Sequence, residues 1–132
     1  MTTDPRSRLK VLLVEDVAGF SSIFSDWLKA PNVDFDVTGS GRHAIWLMQS
    51  TRYDLAFLDV HLPDLDAVAV VQLARAKNIV LPRLFAITGD GREETRQACI
   101  EAGFIAVWVK PILHSQFAEL IEIEKLHHDL FT

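Results

Sequence analysis

Apolar residues in this chain follow two alternating spacings. Short continuous runs, which suit strands buried on both faces of a sheet, are separated by stretches whose apolar positions recur every three or four residues, as on one face of a helix. Lys10 to Val14 (KVLLV) is the first run and leads into Glu15-Asp16. Phe20, Ile23, Phe24, Trp27 and Leu28 then share a helical face, which Pro31-Asn32 ends. Asp34 to Thr38 (DFDVT) alternates and is brief, as a strand near a sheet edge would be. Gly39-Ser40-Gly41 opens a helix with Ala44, Ile45, Leu47 and Met48 inward. Tyr53 to Asp59 (YDLAFLD) reads as a central strand ending on an aspartate, and Leu62-Pro63-Asp64 turns the chain outward. A helix from about Asp66 to Lys77 carries Val68, Val71, Leu73 and Ala74. Pro82 precedes the strand Leu84 to Thr88 (LFAIT), and Gly89-Asp90-Gly91 is a turn. The helix from about Arg92 to Ala102 has a thin apolar face of Ala98, Cys99 and Ala102 and stops at Gly103. Ile105 to Val109 is the fifth strand, Lys110-Pro111 closes it, and a last helix starts near His114.

Five strands alternating with five helices call for a doubly wound α/β fold, a five-stranded parallel sheet with helices on both faces. Right-handed crossovers bring the C-terminal ends of the strands to one edge, where open α/β sheets bind ligands. Glu15, Asp16, Asp59, Thr88 and Lys110 should therefore meet there. Singly, each has an ordinary explanation: a solvated acid pair, a capping aspartate or hydroxyl, a surface lysine. Together at consecutive strand ends they describe a site. Three carboxylates at close range repel unless cations are supplied. Lys110 supplies one positive charge, and Mg²⁺, which takes oxygen ligands from a carboxylate or two plus phosphate, would supply more. Aspartate is a competent nucleophile toward phosphorus, and the transferred group has three oxygens that need compensating charge. Mg²⁺, Lys110 and Thr88 match those needs.

Composition narrows the picture. The chain has 132 residues, 49% of them hydrophobic, which suits one domain with an interior sheet. No apolar run approaches the roughly 18 residues of a membrane span, so no membrane partner is expected. The opening MTTDPRSRLK lacks an apolar signal core, so a cytoplasmic location is expected. Cys99 is the single cysteine, so there is no disulfide framework. The net charge of −5, with only Arg6, Arg8 and Lys10 as a short basic group, argues against nucleic-acid binding. The five histidines, His43, His61, His114, His127 and His128, include no pair four residues apart on a helix, so a structural zinc site is not expected.

With those residues in view, the sequence resembles the receiver domains of two-component response regulators over essentially its whole length. The matching pieces are VEDV (Val14 to Val17), FLDVHLPDLDA (Phe57 to Ala67), ITG (Ile87 to Gly89) and VKP (Val109 to Pro111), specific in order and spacing as a set. The resemblance implies a flavodoxin-like sheet of order 2-1-3-4-5. It implies Mg²⁺-dependent transfer, with Mn²⁺ as a substitute, from a histidine kinase or phosphotransfer protein onto Asp59. Glu15 and Asp16 would hold the metal with Asp59 and the His61 backbone carbonyl. Thr88 would move onto the new phosphate and Lys110 would pair with it, aimed by a cis Lys110-Pro111 bond. His61 and Asp90 occupy the positions that tune phosphate lifetime. The domain would be a phosphoacceptor with only self-phosphorylation and autodephosphorylation chemistry, rather than a turnover enzyme. The pattern also departs from the family. The switch aromatic is replaced by Val107, and Trp108, one residue later, should face the other side of the sheet near the first or last helix. The glycine usual eight residues past the acceptor is Ala67.

Rival readings use some of the same residues. Gly39-Ser40-Gly41-Arg42-His43-Ala44 fits a dinucleotide-binding G-x-G-x-x-A, but follows the second strand and leaves the acids and Lys110 unexplained. A haloacid-dehalogenase-type phosphatase would need a second acid where His61 stands. A receiver-like module that binds partners without phosphate is the remaining alternative, kept open by Val107. The sequence ends with its fifth helix, so residues 1–132 are expected to be a receiver without an output domain, signalling through partners. The fourth helix, fifth strand and fifth helix would form the downstream surface. In the last helix Leu113, Phe117, Leu120 and Ile121 form one stripe and Ile112, Ile123, Leu126 and Leu130 a second. The second stripe reads either as a partner or homodimer surface or, as expected here, as part of a broadly buried helix.

Overall fold

The computed structural model describes residues 8–131. In chain order it forms β1 (Leu9–Val14), α1 (Ala18–Leu28), β2 (Val33–Thr38), α2 (Gly41–Ser50), β3 (Leu55–Asp59), α3 (Ala67–Ala76), β4 (Arg83–Thr88), α4 (Glu93–Ala102), β5 (Ala106–Val109) and α5 (His114–Phe131). The strands are parallel and ordered β2-β1-β3-β4-β5, as expected from the resemblance. The central position goes to the most deeply buried strand: every residue of β3 is buried. β2 carries Asp34 and Asp36 at the edge, where charged side chains deter pairing with another sheet.

Alternate residues of each strand serve opposite layers. Leu12, Val14, Ala56, Leu58 and Ala86 pack with Ala44 and Met48 of α2, Val70 and Val71 of α3 and Cys99 of α4. Val11, Leu13, Leu55, Phe57, Phe85 and Ile87 pack with α1 and α5. Phe24 centres that second layer, its ring 4.9 Å from both Phe57 and Phe117. Val107 belongs to the first layer and Trp108 to the second, with the Trp108 ring 5.6 Å from Phe57. Val107 and Trp108 thus face opposite sides of the sheet, as strand alternation requires.

Several helix faces differ from the periodic reading. Ile23, Leu73, Ala98 and Leu113 are exposed, and Leu47 is only half-buried. Leu113 precedes the first turn of α5, and the others sit well round their helices from the inward line, where the sheet covers only the central part of an apolar arc. In α5 the inward line is Phe117, Ile121 and Glu124. Of the second stripe, Ile112 is buried just ahead of α5, but Ile123, Leu126 and Leu130 are 59%, 64% and 76% exposed, so the broadly buried helix expected from sequence is corrected: α5 shows those three to solvent. Glu124 is tolerated inside because Arg83 Nε donates to its Oε1 at 2.6 Å. The central strand begins at Leu55 instead of Tyr53, because Asp54 turns its carboxylate to accept from the Lys10 amide at 2.8 Å. Gly103 closes α4 with φ 111°, a left-handed geometry that glycine adopts without penalty. Arg6 lies outside the described residues.

Candidate functional site

The C-terminal ends of β1, β3 and β5 deliver their polar residues to one point. Glu15 and Asp16 follow β1, Asp59 ends β3, and Lys110 follows β5. Carboxylate oxygens of Glu15, Asp16 and Asp59 lie within 4.8 Å of one another. Glu15 and Asp59 are buried, whereas Asp16 is open to solvent. Asp59 is held at both oxygens: Oδ1 accepts from the His61 amide at 2.8 Å, and Oδ2 accepts from Lys110 Nζ at 2.9 Å. The same ammonium lies 2.9 Å from Glu15 Oε2. That contact is off the hydrogen-bonding direction, so Oε2 is a buried oxygen without an aligned donor. Glu15 Oε1 accepts from the Val17 amide at 3.1 Å.

The charges explain the titration behaviour. Burial pushes the Glu15 carboxyl up, and the adjacent Asp59 adds to it, against the pull of Lys110 and the Val17 amide. Desolvation acts to lower Lys110, but contacts with Glu15 and Asp59 outweigh it and leave the ammonium raised above its ordinary value. Three acids against one lysine leave the cluster electron-rich. An all-oxygen donor set, an unaligned buried carboxylate oxygen and that surplus of negative charge fit a hard divalent cation such as Mg²⁺ or Mn²⁺.

The remaining expected residues frame the cluster. Thr88 is fully buried at the end of β4; its carbonyl accepts from the Lys110 amide at 2.8 Å and its hydroxyl accepts from the Asp90 amide at 2.9 Å. The Lys110–Pro111 peptide is cis. The His61 ring, largely exposed, sits 3.9 Å from Asp90, so two positions far apart in the chain face each other at the rim. Asp90 is gripped by Arg92, through its backbone amide at 3.0 Å and its guanidinium at 2.8 Å, and by the Thr95 hydroxyl at 2.7 Å. Those bonds, Arg92 foremost, hold Asp90 well below the usual carboxylate range. Val107 stands beside Ala86 in the layer that α2, α3 and α4 cover, the face to which alternation also assigns Thr88, and contributes no aromatic ring there.

Two features of the site escaped the sequence reading. The Phe20 ring lies 4.4 Å below Lys110 Nζ; the only signal was its place on an apolar helical face. Asp64 was read as a turn residue, yet its carboxylate accepts from the Gly41 amide at 2.9 Å, the Arg42 amide at 2.9 Å and the Ser40 hydroxyl at 3.1 Å. The Arg42 and Gly41 amides hold its pKa at about 2. The N-terminus of α2, where a dinucleotide phosphate would bind, is thus occupied by the protein's own anion. Gly41 serves packing: a Cβ there would stand 2.8 Å from Val70 Cγ2. The G-x-G-x-x-A pattern is a helix junction.

Among the described residues no helix is long and apolar enough to cross a membrane. The chain is 36% identical over 121 residues to the autoinducer 2 sensor kinase/phosphatase LuxQ of Vibrio cholerae, an alignment spanning 91% of this chain and 14% of that protein. A CheY-like response regulator receiver domain from Methylobacillus flagellatus superposes with a TM-score of 0.76 at 26% identity, over 89% of this chain and 98% of that one. The receiver domain of a sensor histidine kinase from Pseudomonas aeruginosa, solved with magnesium coordinated in its active-site cleft, gives 0.76 at 21% identity, over 89% and 98% of the two chains. The sequence profile of the response regulator receiver domain matches residues 11–122. With the parallel sheet and the acidic cleft already in place, that match makes this chain a member of the response regulator receiver domain family, the signalling domains of two-component systems.

Proposed function

We propose that Asp59 is the phosphoryl acceptor of this receiver and that residues 1–132 act as one receiver domain. The observation that carries this reading is the double tether on Asp59, the His61 amide on one oxygen and Lys110 on the other, beside Glu15 and Asp16. An Asp59 oxygen attacks the phosphorus of a phosphohistidine on a histidine kinase or phosphotransfer protein. The P–N bond breaks, and its electron pair returns to the imidazole. Glu15, Asp16, Asp59 and the His61 carbonyl would hold Mg²⁺, which when bound neutralises charge on the phosphoryl oxygens. Lys110 pairs with the phosphoryl group once it leaves the Asp59 oxygen it now holds. The Thr88 hydroxyl, released from the Asp90 amide, donates to another phosphoryl oxygen. His61 and Asp90 face each other at the rim, where they limit the approach of water to the acyl phosphate.

The downstream surface of this reading is α4, β5 and α5, supported by the exposed Ile105, Val109, Leu113, Ile123 and Leu126. A protein target or a second copy of the chain would cover it, in the cytoplasm. A second reading, a module that binds partners without phosphate, draws on Val107, which leaves Thr88 without an aromatic follower. Incubation with acetyl phosphate and Mg²⁺, followed by intact mass, separates the two. The acceptor reading expects one added phosphate in the native protein and none in Asp59→Asn. A native protein that gains nothing from any small donor or phosphohistidine protein refutes it.

A further inference from the structure

We infer that Phe20 is a positioning residue for Lys110, its ring face holding the ammonium over the carboxylates where the phosphoryl group arrives. Phe20 lies in the first turn of α1, just past the acid pair, while Lys110 reaches in from the turn after the edge strand β5. The ammonium lies 2.9 Å from Asp59 Oδ2 and from Glu15 Oε2, and the Phe20 centroid is 4.4 Å away. Lysine is a strongly hydrated point charge on a flexible stem, with three donors and no preferred geometry of its own. Here the carboxylates engage it from one direction, with a single aligned hydrogen bond to Asp59. The electron-rich ring face supplies attraction from another and displaces water that would compete for the charge. The ring is itself anchored, since its centroid is 5.6 Å from that of Phe24, at the centre of the α1–α5 layer. Core packing therefore fixes where the ring stands, and the ring restrains the lysine.

A purely space-filling Phe20 would be replaceable by leucine, whereas a cation–π contact needs the ring. The contact stands on the geometry alone; its kinetic consequence rests on Asp59 being the acceptor. Native protein, Phe20→Leu and Phe20→Tyr would be compared by two readouts. The first is the NMR shift of the Lys110 side-chain methylene protons nearest the ammonium. It is expected upfield through the ring current in the native protein and Phe20→Tyr, and at the ordinary lysine position in Phe20→Leu. The second is phosphate uptake from acetyl phosphate with saturating Mg²⁺. It is expected to be about 2- to 30-fold slower in Phe20→Leu, the range a cation–π contact spans, and within about 2-fold of native in Phe20→Tyr. An unshifted Lys110 in the native protein overturns the inference. So does a Phe20→Leu protein as fast as native, or a Phe20→Tyr protein as slow as Phe20→Leu. If the native protein takes no phosphate at all, the acceptor reading fails, and the NMR comparison still decides whether the ring holds the lysine.

Discussion

Replacing Asp64 by alanine removes a cap supplied across the fold, and its effect can be worked out from three bonds. Asp64 accepts from two free amides of the first turn of α2 and from the Ser40 hydroxyl, at 2.9, 2.9 and 3.1 Å. Its pKa falls from the ordinary aspartate value of 3.8 to about 2, which taken at face value corresponds to about 2.4 kcal/mol. Asp64 is exposed, so solvent screening removes much of that. The loss at neutral pH should be about 1 kcal/mol, as for a typical N-cap acid. Ser40 still accepts from the His43 amide at 3.2 Å, so the helix keeps its local cap. The sign follows from the depressed pKa. The contribution is complete above the ordinary aspartate value and is lost as pH falls through about 2. Urea unfolding followed by far-UV circular dichroism, at about pH 7, 5 and 3, should show the Asp64→Ala deficit largely unchanged between the first two and smaller at the third. A thermal midpoint lower by about 3–5 °C should accompany it at pH 7. Stability equal to native at pH 7, or a deficit that does not shrink in acid, would falsify the assignment of Asp64 as the anion that caps α2.

Two further outcomes test packing and charge. Gly41→Ala places a Cβ 2.8 Å from Val70 Cγ2 and 3.1 Å from Leu65 Cβ, and should cost about 1–3 kcal/mol in urea unfolding through overpacking; a more stable variant would mean that α2 and α3 have slack between them. Glu15→Gln removes the buried carboxyl whose pKa burial raises. Because that pKa is raised in the folded protein, metal-free native stability relative to the variant should decline as pH rises from the ordinary glutamate value of 4.5 through the raised one. Added Mg²⁺ should also raise the melting temperature of the native protein more than that of the variant. Parallel pH curves, or equal Mg²⁺ shifts, contradict that role for Glu15.

Strand identity and the residues at the C-terminal rim were legible in the sequence, because they depend on local periodicity and on a handedness rule that applies to every βαβ unit, whereas the strand order followed only from the family resemblance. Trp108 and Val107 were sorted to opposite layers by alternation alone, because a strand offers its side chains only two directions. Helices offer a continuous range of directions. An apolar arc such as that of α1 or α5 therefore does not say which of its members the sheet will cover, and Ile23, Ala98 and the outer stripe of α5 were misjudged for that reason. Glu124 is the reverse case, a charged residue on the inward line of α5, acceptable only because Arg83 reaches it from β4.

By itself, the sequence determined which groups would stand at the rim: Glu15, Asp16, Asp59, Thr88 and Lys110. Tertiary structure decided how they are held. The ring beneath Lys110 comes from a residue 90 positions earlier in the numbering, the carboxylate capping α2 from a loop 23 residues past Gly41, and Asp90 is faced by a histidine from another loop. Each of these is a contact between segments that periodicity treats independently. Charge and ring geometry act through space, so they become readable only once the sheet has brought the segments together.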